Sequence, residues 1–359
     1  MGVPRFHRLI VSDIRRETES AVSLAFAVPD ALEHDYRFAP GQYLTLRAVI
    51  EGEDVRRSYS ICSGPDQSEL RVAVKQVEDG LFSHWLNTAL RSGDALEVMT
   101  PTGRFGLAHH PGDGRVHVGF AAGSGITPIL SIIRGVLASE PHSRFFLFYG
   151  NRTTADILFR ESLEDLKDRF LGRLSIFHVL SREEQDLDIL NGHLDGEKAR
   201  RLLATLVPAR VVDHAFICGP EAMIEDLEET LSGLGLPRDH IHAERFISTH
   251  EGKPRPPAKP VAPDARPAHV AALIVDGKRR EVPVAKGERV LDAAIRAGMD
   301  LPFACKGGMC STCRAKVVEG AVEMAVNYSL EPWELEAGFV LTCQSHPKTP
   351  RVVIDYDQV

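Results

Sequence analysis

The segment ACKGGMCSTC, residues 304–313, decides the fold of the C-terminal part of this chain. It holds three cysteines in the spacing C-x4-C-x2-C, and a fourth follows alone in VLTCQSH. Four thiolates in this order are typical of a 2Fe–2S cluster, whereas zinc ribbons usually pair two short C-x2-C knuckles. Gly307 and Gly308 allow a tight loop that turns backbone N–H groups toward the sulfurs. We therefore predict a 2Fe–2S site, with zinc as the less favoured alternative, and its ligands are Cys305, Cys310, Cys313 and Cys343.

Composition sets broad limits on the function. The chain has 359 residues and a net charge of −8, and no segment has the basic footprint that nucleic-acid binding needs. No run of apolar residues is long enough for a signal peptide or a membrane span. These features predict a multidomain cytoplasmic protein without a nucleic-acid or membrane partner. Clustered cysteines in the reducing cytosol indicate metal or redox chemistry rather than disulfides.

The pattern of apolar residues changes twice along the chain. Before PGDGR, at residues 111–115, short β-rich runs such as AVSLAFAV and LRVAVKQV alternate with turns, which predicts an antiparallel barrel or sandwich. After it, apolar strands alternate with amphipathic helices, which predicts a parallel sheet covered on both faces. A proline-rich stretch then follows, too poor in apolar residues to form a core. The predicted segments are 1–111, 112–248, a linker at 249–269, and 270–359.

A glycine turn after one strand suggests a nucleotide site. The strand VHVGFAA runs into AAGSGITP, residues 121–128, and then into a helix. Gly123 and Gly125 allow a tight turn, and the helix start offers N–H groups and a positive dipole end to a diphosphate. This signal is weak alone, since Pro128 stands where the full G-x-G-x-x-G fingerprint has its last glycine. The predicted contacts are Gly123, Gly125, Thr127 and Pro128.

Four further motifs carry a family resemblance. RRSYSIC at residues 56–62, then DGLFS, PTGRF and FICGPEAM at residues 216–223, together resemble the ferredoxin–NADP reductase superfamily. The resemblance implies an antiparallel β-barrel flavin domain, an α/β parallel-sheet nicotinamide domain and, at the C-terminus, an α+β ferredoxin domain of the β-grasp type. These would correspond to residues 1–111, 112–248 and 270–359.

The resemblance also implies roles for individual residues. Arg57 would bind a flavin phosphate, Tyr59 would lie against the isoalloxazine ring, and the Ser60 hydroxyl would reach its N5 atom. The G-x-x-S pattern favours the diphosphate of FAD over FMN. Cys218 would lie beside the nicotinamide, so Tyr59, Ser60 and Cys218 are the predicted catalytic residues. The remaining predicted contacts with the flavin or the nicotinamide nucleotide are Val74, Gly80, Phe82, Ser83, Gly219 and Pro220.

The choice between NADPH and NADH depends on the segment after RLSIFHVL. Ser181 and Arg182 lie where related enzymes meet the adenosine ribose, and Arg152 in YGNRT could assist. An arginine suits a 2′-phosphate, and no acidic residue stands there to accept a 2′-hydroxyl. This favours NADPH, although NADH stays possible. The alternative is a surface arginine paired with Glu183–Glu184.

The remaining cysteine and histidines give no signal for a further site. Cys62 follows the flavin motif and reads as a small buried hydrophobe. His109–His110 and the pair His240 and His242 read as surface or hydrogen-bonded groups, since their spacing converges on no ligand set.

The order of the motifs implies an electron relay. Electrons would pass from NADPH through FAD and the 2Fe–2S cluster to a separate oxygenase. Segments such as RFAPGQYLTL and NYSLEPWELEAGFVLTCQ resemble the reductase components of phenylacetyl-CoA epoxidase systems. The resemblance implies a diiron oxygenase of phenylacetate catabolism as the partner. The alternatives are reductases of steroid 9α-hydroxylases or of Rieske ring-hydroxylating dioxygenases, or an electron-carrying module without enzymatic activity.

Overall fold

The computed structural model describes residues 4–65, 67, 69–107, 112, 114–246 and 267–358. Residues 8–55 and 59–246 form one compact unit, and residues 4–7, 56–58 and 267–358 form another. Most of the predicted linker, and the predicted surface pair His109–His110, lie outside the described residues. The last residues assigned to the linker belong to a strand that begins at Pro267.

The N-terminal sheet has six strands in the order β4-β3-β6-β1-β2-β5, and one helix, α1, lies between β5 and β6. The bounds are β1 (Phe6–Thr18), β2 (Ala21–Ala27), β3 (Tyr43–Ile50), β4 (Glu53–Ser60), β5 (Leu70–Lys75), α1 (Leu81–Thr88) and β6 (Ala95–Met99). A bridge between Ile61 and Val72 brings the residues after β4 against β5 and closes the sheet into a barrel. Its interior is filled by apolar side chains such as Leu9, Leu24 and Leu46, each fully buried.

The second sheet is parallel, in the order β11-β10-β7-β8-β9, with two helices on each face. The strands are β7 (Val116–Ala122), β8 (Arg144–Asn151), β9 (Leu174–Leu180), β10 (His214–Gly219) and β11 (Ile241–Arg245). The helices are α2 (Ile126–Ser139), α3 (Arg160–Arg169), α4 (Gly196–Leu206) and α5 (Glu221–Gly233). The strand order reverses between β7 and β10, so the carboxyl ends of these two strands border the crevice where such sheets bind nucleotides.

A histidine stack lies at the opposite, amino-terminal end of this sheet. A ring nitrogen of His242 lies 3.2 Å from one of His214, and the His214 ring stacks on that of His240 with centroids 4.6 Å apart. This agrees with the expectation that His242 is a hydrogen-bonded group. Burial lowers the pKa of both His214 and His242 to about 4. Both rings are therefore neutral at neutral pH.

The C-terminal sheet has the order β13-β12-β18-β14-β16, beside a small sheet formed by β15 and β17. The bounds are β12 (Pro267–Val275), β13 (Lys278–Ala285), α6 (Val290–Arg296), β14 (Arg314–Glu319), β15 (Val322–Met324), α7 (Pro332–Glu336), β16 (Phe339–Leu341), β17 (Ser345–Pro347) and β18 (Arg351–Asp355). Asp276 and Gly277 turn the β12–β13 hairpin with positive φ angles of 50° and 69°. The parallel pairing of β12 with β18 and the packing of α6 on this sheet give the β-grasp arrangement.

All three predicted fold classes are therefore confirmed. Within the described ranges, no helix is both long enough and apolar enough to span a membrane.

Candidate functional site

The flavin motif lies at the end of β4. The ring of Tyr59 stacks on Phe82 of α1, with centroids 6.3 Å apart and planes 16° from parallel. Tyr59 is half-buried, Ser60 is buried, and Arg57 is exposed. The strand thus offers a flat, partly accessible aromatic ring two residues from an exposed cation, which suits a ring system that carries a phosphate.

The turn before α1 is held by its own serine. The Ser83 hydroxyl donates to the Gly80 carbonyl at 3.0 Å and accepts from the Val77 N–H at 3.1 Å. A Cβ on Gly80 would lie 2.6 Å from that hydroxyl, so a side chain here would displace Ser83 from its hydrogen bonds. The first N–H groups of a helix have no intrahelical partners and can bind a diphosphate. Ser83 therefore shapes the turn with its side chain, and the backbone of α1 is the group available to the diphosphate.

Two predicted flavin contacts have side chains in the barrel core. Val74 is 0% exposed and Phe82 is 2% exposed. Their side chains pack against the apolar core of the barrel. A contact between either residue and a bound cofactor would therefore be made through its backbone.

The glycine turn after β7 packs against the end of β10. Gly123 has a φ angle of +52°, and its carbonyl accepts from the Tyr149 hydroxyl at 2.9 Å. Gly125 has an ordinary helical φ of −61°, but a Cβ there would lie 2.1 Å from the carbonyl oxygen of Cys218. The first glycine is thus needed for its backbone angle, and the second because no side chain fits between α2 and β10.

The other predicted nucleotide contacts surround this turn. The Thr127 hydroxyl donates to the Ser124 carbonyl at 3.0 Å, and Pro128 is the third residue of α2, where its missing N–H costs no helical bond. Pro220 is the N-cap of α5. A Cβ on Gly219 would lie 2.4 Å from the Met223 methyl group, so the Met223 side chain packs close to the end of β10.

Cys218 lies at this edge of the sheet with an acidic neighbour. It is fully buried at the end of β10 and is paired in register with Glu244 of β11. Burial raises the pKa of the Cys218 thiol well above its ordinary value and raises the pKa of Glu244 to about 8. The thiol is therefore protonated at neutral pH, and Glu244 can hold or release a proton near pH 8.

The residues predicted to choose between NADPH and NADH lie together beyond β8 and β9. The N–H of Arg182 donates to the Arg152 carbonyl at 2.8 Å, and both side chains are exposed. Glu183 accepts from the N–H and the hydroxyl of Thr154, both at 2.7 Å. Glu183 is therefore held by Thr154, and it is not the ion-pair partner of Arg182 that the sequence left open. Ser181 is half-buried between these segments.

The four predicted cluster ligands meet in the C-terminal unit. Their sulfurs form two pairs, Cys305 with Cys310 and Cys313 with Cys343. The hydrogen bond within each pair lowers the pKa of Cys305 to about 5 and lowers that of Cys343, while it raises the pKa of each partner. Within the described ranges, no three His, Cys, Asp or Glu side chains gather as ligands of one ion. Two pairs of thiols fit two irons with two cysteines each.

The backbone of the cluster loop is arranged around these sulfurs. Lys306 and Gly308 have positive φ angles of 50° and 82°, which fold the loop tightly. The Gly307 N–H donates to the Cys305 sulfur at 3.3 Å, and the Cys305 N–H donates to the Cys310 sulfur at 3.5 Å. Such N–H···S bonds stabilise thiolates and tune the potential of a bound cluster.

Two candidate residues were not found from the sequence. Glu244 lies in HAERF, where nothing marks it as different from any acidic residue on an edge strand. Lys75 ends β5, and its Nζ lies 3.9 Å from the Cβ position of Gly123. Burial lowers the pKa of Lys75, and the charge of Asp156 opposes this. The signal in both cases is tertiary, since only the fold brings β11 to Cys218 and β5 to the glycine turn.

Comparison with protein families matches all three domains. An oxidoreductase FAD-binding domain matches residues 8–106, an oxidoreductase NAD-binding domain matches residues 120–229, and a 2Fe-2S iron-sulfur cluster binding domain matches residues 273–348. The chain is therefore an NAD(P)H-dependent oxidoreductase with FAD and a 2Fe–2S cluster as cofactors.

Individual proteins are similar over nearly the whole chain. The E subunit of 1,2-phenylacetyl-CoA epoxidase from Escherichia coli K12 is 47% identical over 98% of both chains. The ferredoxin reductase component of 3-ketosteroid-9-alpha-monooxygenase from Rhodococcus rhodochrous is 33% identical over 97% of this chain and 96% of that one. The crystal structure of phthalate dioxygenase reductase has the same fold, with a TM-score of 0.58 and 22% identity over 98% of both chains. The chain thus belongs to the family of oxygenase reductases that includes the E subunit of 1,2-phenylacetyl-CoA epoxidase and the 3-ketosteroid-9-alpha-monooxygenase reductase components.

Proposed function

We propose that this chain carries electrons from NADPH to a separate diiron oxygenase that epoxidises phenylacetyl-CoA in phenylacetate catabolism. The observation that carries this proposal is the 47% identity to a component of phenylacetyl-CoA epoxidase over 98% of both chains. Identity to the ketosteroid monooxygenase components is lower, at 33 to 34%. The cytoplasm is the proposed location, since NADPH and a CoA thioester are both found there.

The proposed roles in the flavin domain are those that the family resemblance implies, and the positions of β4 and α1 support them. When bound, FAD accepts a hydride from the nicotinamide, and the 2Fe–2S cluster carries single electrons. Arg57 would bind a flavin phosphate, Tyr59 would lie against the ring, and the buried Ser60 would offer its hydroxyl to N5, as the resemblance implies. The Gly80 turn, shaped by Ser83, binds the diphosphate with backbone N–H groups.

The proposed roles in the nicotinamide domain place the diphosphate at the start of α2. Gly123 and Gly125 keep this turn free of side chains, and the backbone at Cys218, whose thiol is fully buried, borders the position proposed for the nicotinamide ring. Because the Cys218 thiol is buried and protonated, it excludes water and offers no charge to the ring. In this assignment Glu244 keeps its proton below about pH 8 and therefore adds no negative charge next to Cys218.

The preference for NADPH over NADH is also a proposal. Arg182 and Arg152 are both exposed and are joined through their backbones. Glu183, the nearest acidic group in sequence, is held by Thr154 and does not neutralise them. Two exposed guanidinium groups on adjoining segments are suited to a 2′-phosphate.

In the proposed domain division, residues 1–111 bind FAD, residues 112–248 bind the nicotinamide nucleotide, residues 249–269 are the linker, and residues 270–359 bind the cluster. The last three linker residues already belong to β12 of the cluster domain. The family matches at 8–106, 120–229 and 273–348 each fall inside one of these segments.

Reconstitution with purified oxygenases tests the proposal. The chain would be combined with the remaining components of a phenylacetyl-CoA epoxidase, and NADPH-dependent turnover of phenylacetyl-CoA would be measured. A 3-ketosteroid monooxygenase component with its own steroid substrate is the matched comparison. Turnover only with the epoxidase supports the proposal. Turnover only with the steroid enzyme would assign the chain to the other branch of the family.

A further inference from the structure

Helix α2 is tied at its centre to the segment that follows the flavin strand. The Ser131 hydroxyl donates to the Ser63 carbonyl at 2.7 Å, and the Arg134 guanidinium donates to the Cys62 carbonyl at 2.5 Å. Ser131, Cys62 and Ser63 are all fully buried. The two donors are three residues apart on α2, so they lie on one face of the helix.

Both acceptors are fixed in place from the other side. The Cys62 N–H donates to the Arg71 carbonyl at 2.9 Å, and the Arg71 N–H donates to the Ser63 hydroxyl at 3.1 Å. Arg134 is also fixed, since it donates to the Ser162 hydroxyl at 2.6 Å. Neither end of this connection can shift without the breaking of buried hydrogen bonds, and buried backbone carbonyls without partners are costly.

The connection joins the two places where the nucleotides are expected. Residues 62 and 63 lie two and three positions after Ser60 along the chain. Helix α2 begins immediately after Gly125, in the turn assigned to the nicotinamide nucleotide. A helix is a rigid rod, so a displacement at its centre moves the turn at its start by a similar amount.

We propose that Ser131 and Arg134 are positioning residues that set the separation between the bound nicotinamide and the flavin. This inference rests on the proposed hydride transfer between the two. It explains why a serine and an arginine donate to backbone carbonyls across a packed, otherwise apolar contact. Hydride transfer depends strongly on this separation, because a misplacement of the reacting groups by about 1 Å can reduce the rate on the order of 100-fold.

Two matched controls exist on and beside the same helix. The Ser139 hydroxyl donates to the Gly135 carbonyl at 2.6 Å, within α2 itself. Arg173 donates to the carbonyls of Leu137 and Glu140, both at 2.8 Å, at the end of α2. Ser139→Ala and Arg173→Gln therefore remove bonds of the same chemistry from α2 but leave its connection to residues 62 and 63 intact.

The experiment compares Ser131→Ala, Arg134→Gln and the double variant with these controls. Flavin reduction by NADPH is followed by stopped flow in the holoenzyme, together with the nicotinamide–flavin charge-transfer absorbance. For the double variant we expect a loss of about ten-fold or more in the limiting rate. We also expect a weaker charge-transfer band and a KM for NADPH within about two-fold of the wild-type value. Both controls should retain the wild-type rate and band, even where they lower the melting temperature.

Two further measurements separate positioning from general instability. Arg134→Lys can still donate to the Cys62 carbonyl and should restore part of the lost rate. Amide exchange in the protein without nucleotides should accelerate at residues 61–64 in the double variant and not in the controls. A double variant with the wild-type rate and band, or one whose losses equal those of the controls, would overturn the inference. If the wild-type flavin is reduced by neither NADPH nor NADH, the proposed function fails instead.

Discussion

Gly125→Ala is a sharp test of how the nicotinamide site is built. Gly125 has a φ angle of −61°, which alanine adopts without strain. The only obstacle is space, because the new Cβ would lie 2.1 Å from the Cys218 carbonyl oxygen and 2.5 Å from its carbon. The substitution therefore isolates the contact between α2 and β10 from any effect on the backbone angle.

The size of the effect follows from that distance. Ordinary carbon contacts need about 3.5 Å, so the start of α2 must retreat from β10 by roughly 1 Å or more. Overpacking of this kind costs about 1–3 kcal/mol of stability. A displacement of about 1 Å at a substrate-positioning turn reduces kcat/KM on the order of 100-fold. Because the turn is assigned to the nucleotide, we expect most of this loss in flavin reduction by NADPH.

Steady-state reduction of ferricyanide by NADPH measures this loss, and thermal unfolding measures the change in stability. Gly233→Ala is the matched control, since Gly233 ends α5 and its Cβ position has no neighbour within 4 Å. The control should keep its kcat/KM and gain at most about 1 kcal/mol of stability from helix propensity. The 2Fe–2S absorbance should be the same in both variants. Wild-type kcat/KM in Gly125→Ala would refute the view that glycine is needed there for space.

Three further outcomes are expected. As the pH falls from 7.5 to 5, the free energy of unfolding of the nicotinamide domain should decrease by about 1–2 kcal/mol for each of His214 and His242. Burial holds the pKa values of both histidines near 4 in the folded protein, whereas the unfolded chain takes up protons below about pH 6.5. In His242→Gln the acid sensitivity of the melting temperature should decrease, whereas in the exposed-site control His34→Gln it should stay unchanged. Cys343→Ser should keep NADPH-to-ferricyanide transfer and abolish transfer to an oxygenase, and equal loss of both would contradict the relay order. Arg182→Ala should raise KM for NADPH about 10- to 100-fold and leave that for NADH nearly unchanged; parallel losses would argue against a 2′-phosphate contact.

The features that could be predicted from the sequence are those written into local spacing. The sequence shows how many thiolates there are: three cysteines lie in the C-x4-C-x2-C motif and the fourth is Cys343. The structure brings their sulfurs together as two pairs. The change from short β-rich runs to βα alternation likewise indicates a barrel followed by a parallel sheet. In both cases neighbours along the chain carry the signal, so no knowledge of tertiary contacts is needed.

The features that could not be predicted depend on which elements meet. Ser131 and Arg134 read as ordinary residues of an amphipathic helix, because their acceptors lie about 70 residues away at Cys62 and Ser63. Glu244 becomes unusual only when β11 pairs with β10 and places it beside Cys218. Backbone carbonyls carry no sequence signature, so a site built from them is invisible until the fold is known.

The departure from the G-x-G-x-x-G pattern at Pro128 has a structural reason. In that pattern the third glycine provides the close packing of helix on strand. Here Gly125 provides it, since the Cys218 carbonyl occupies the space that a side chain would need. Position 128 is then free to hold proline, whose fixed φ suits the first turn of a helix and whose missing N–H breaks no helical bond. The close approach has thus moved to the second glycine. The sequence Gly123–Ser124–Gly125 followed by Pro128 is therefore a different solution to the same packing problem, and not a degraded fingerprint.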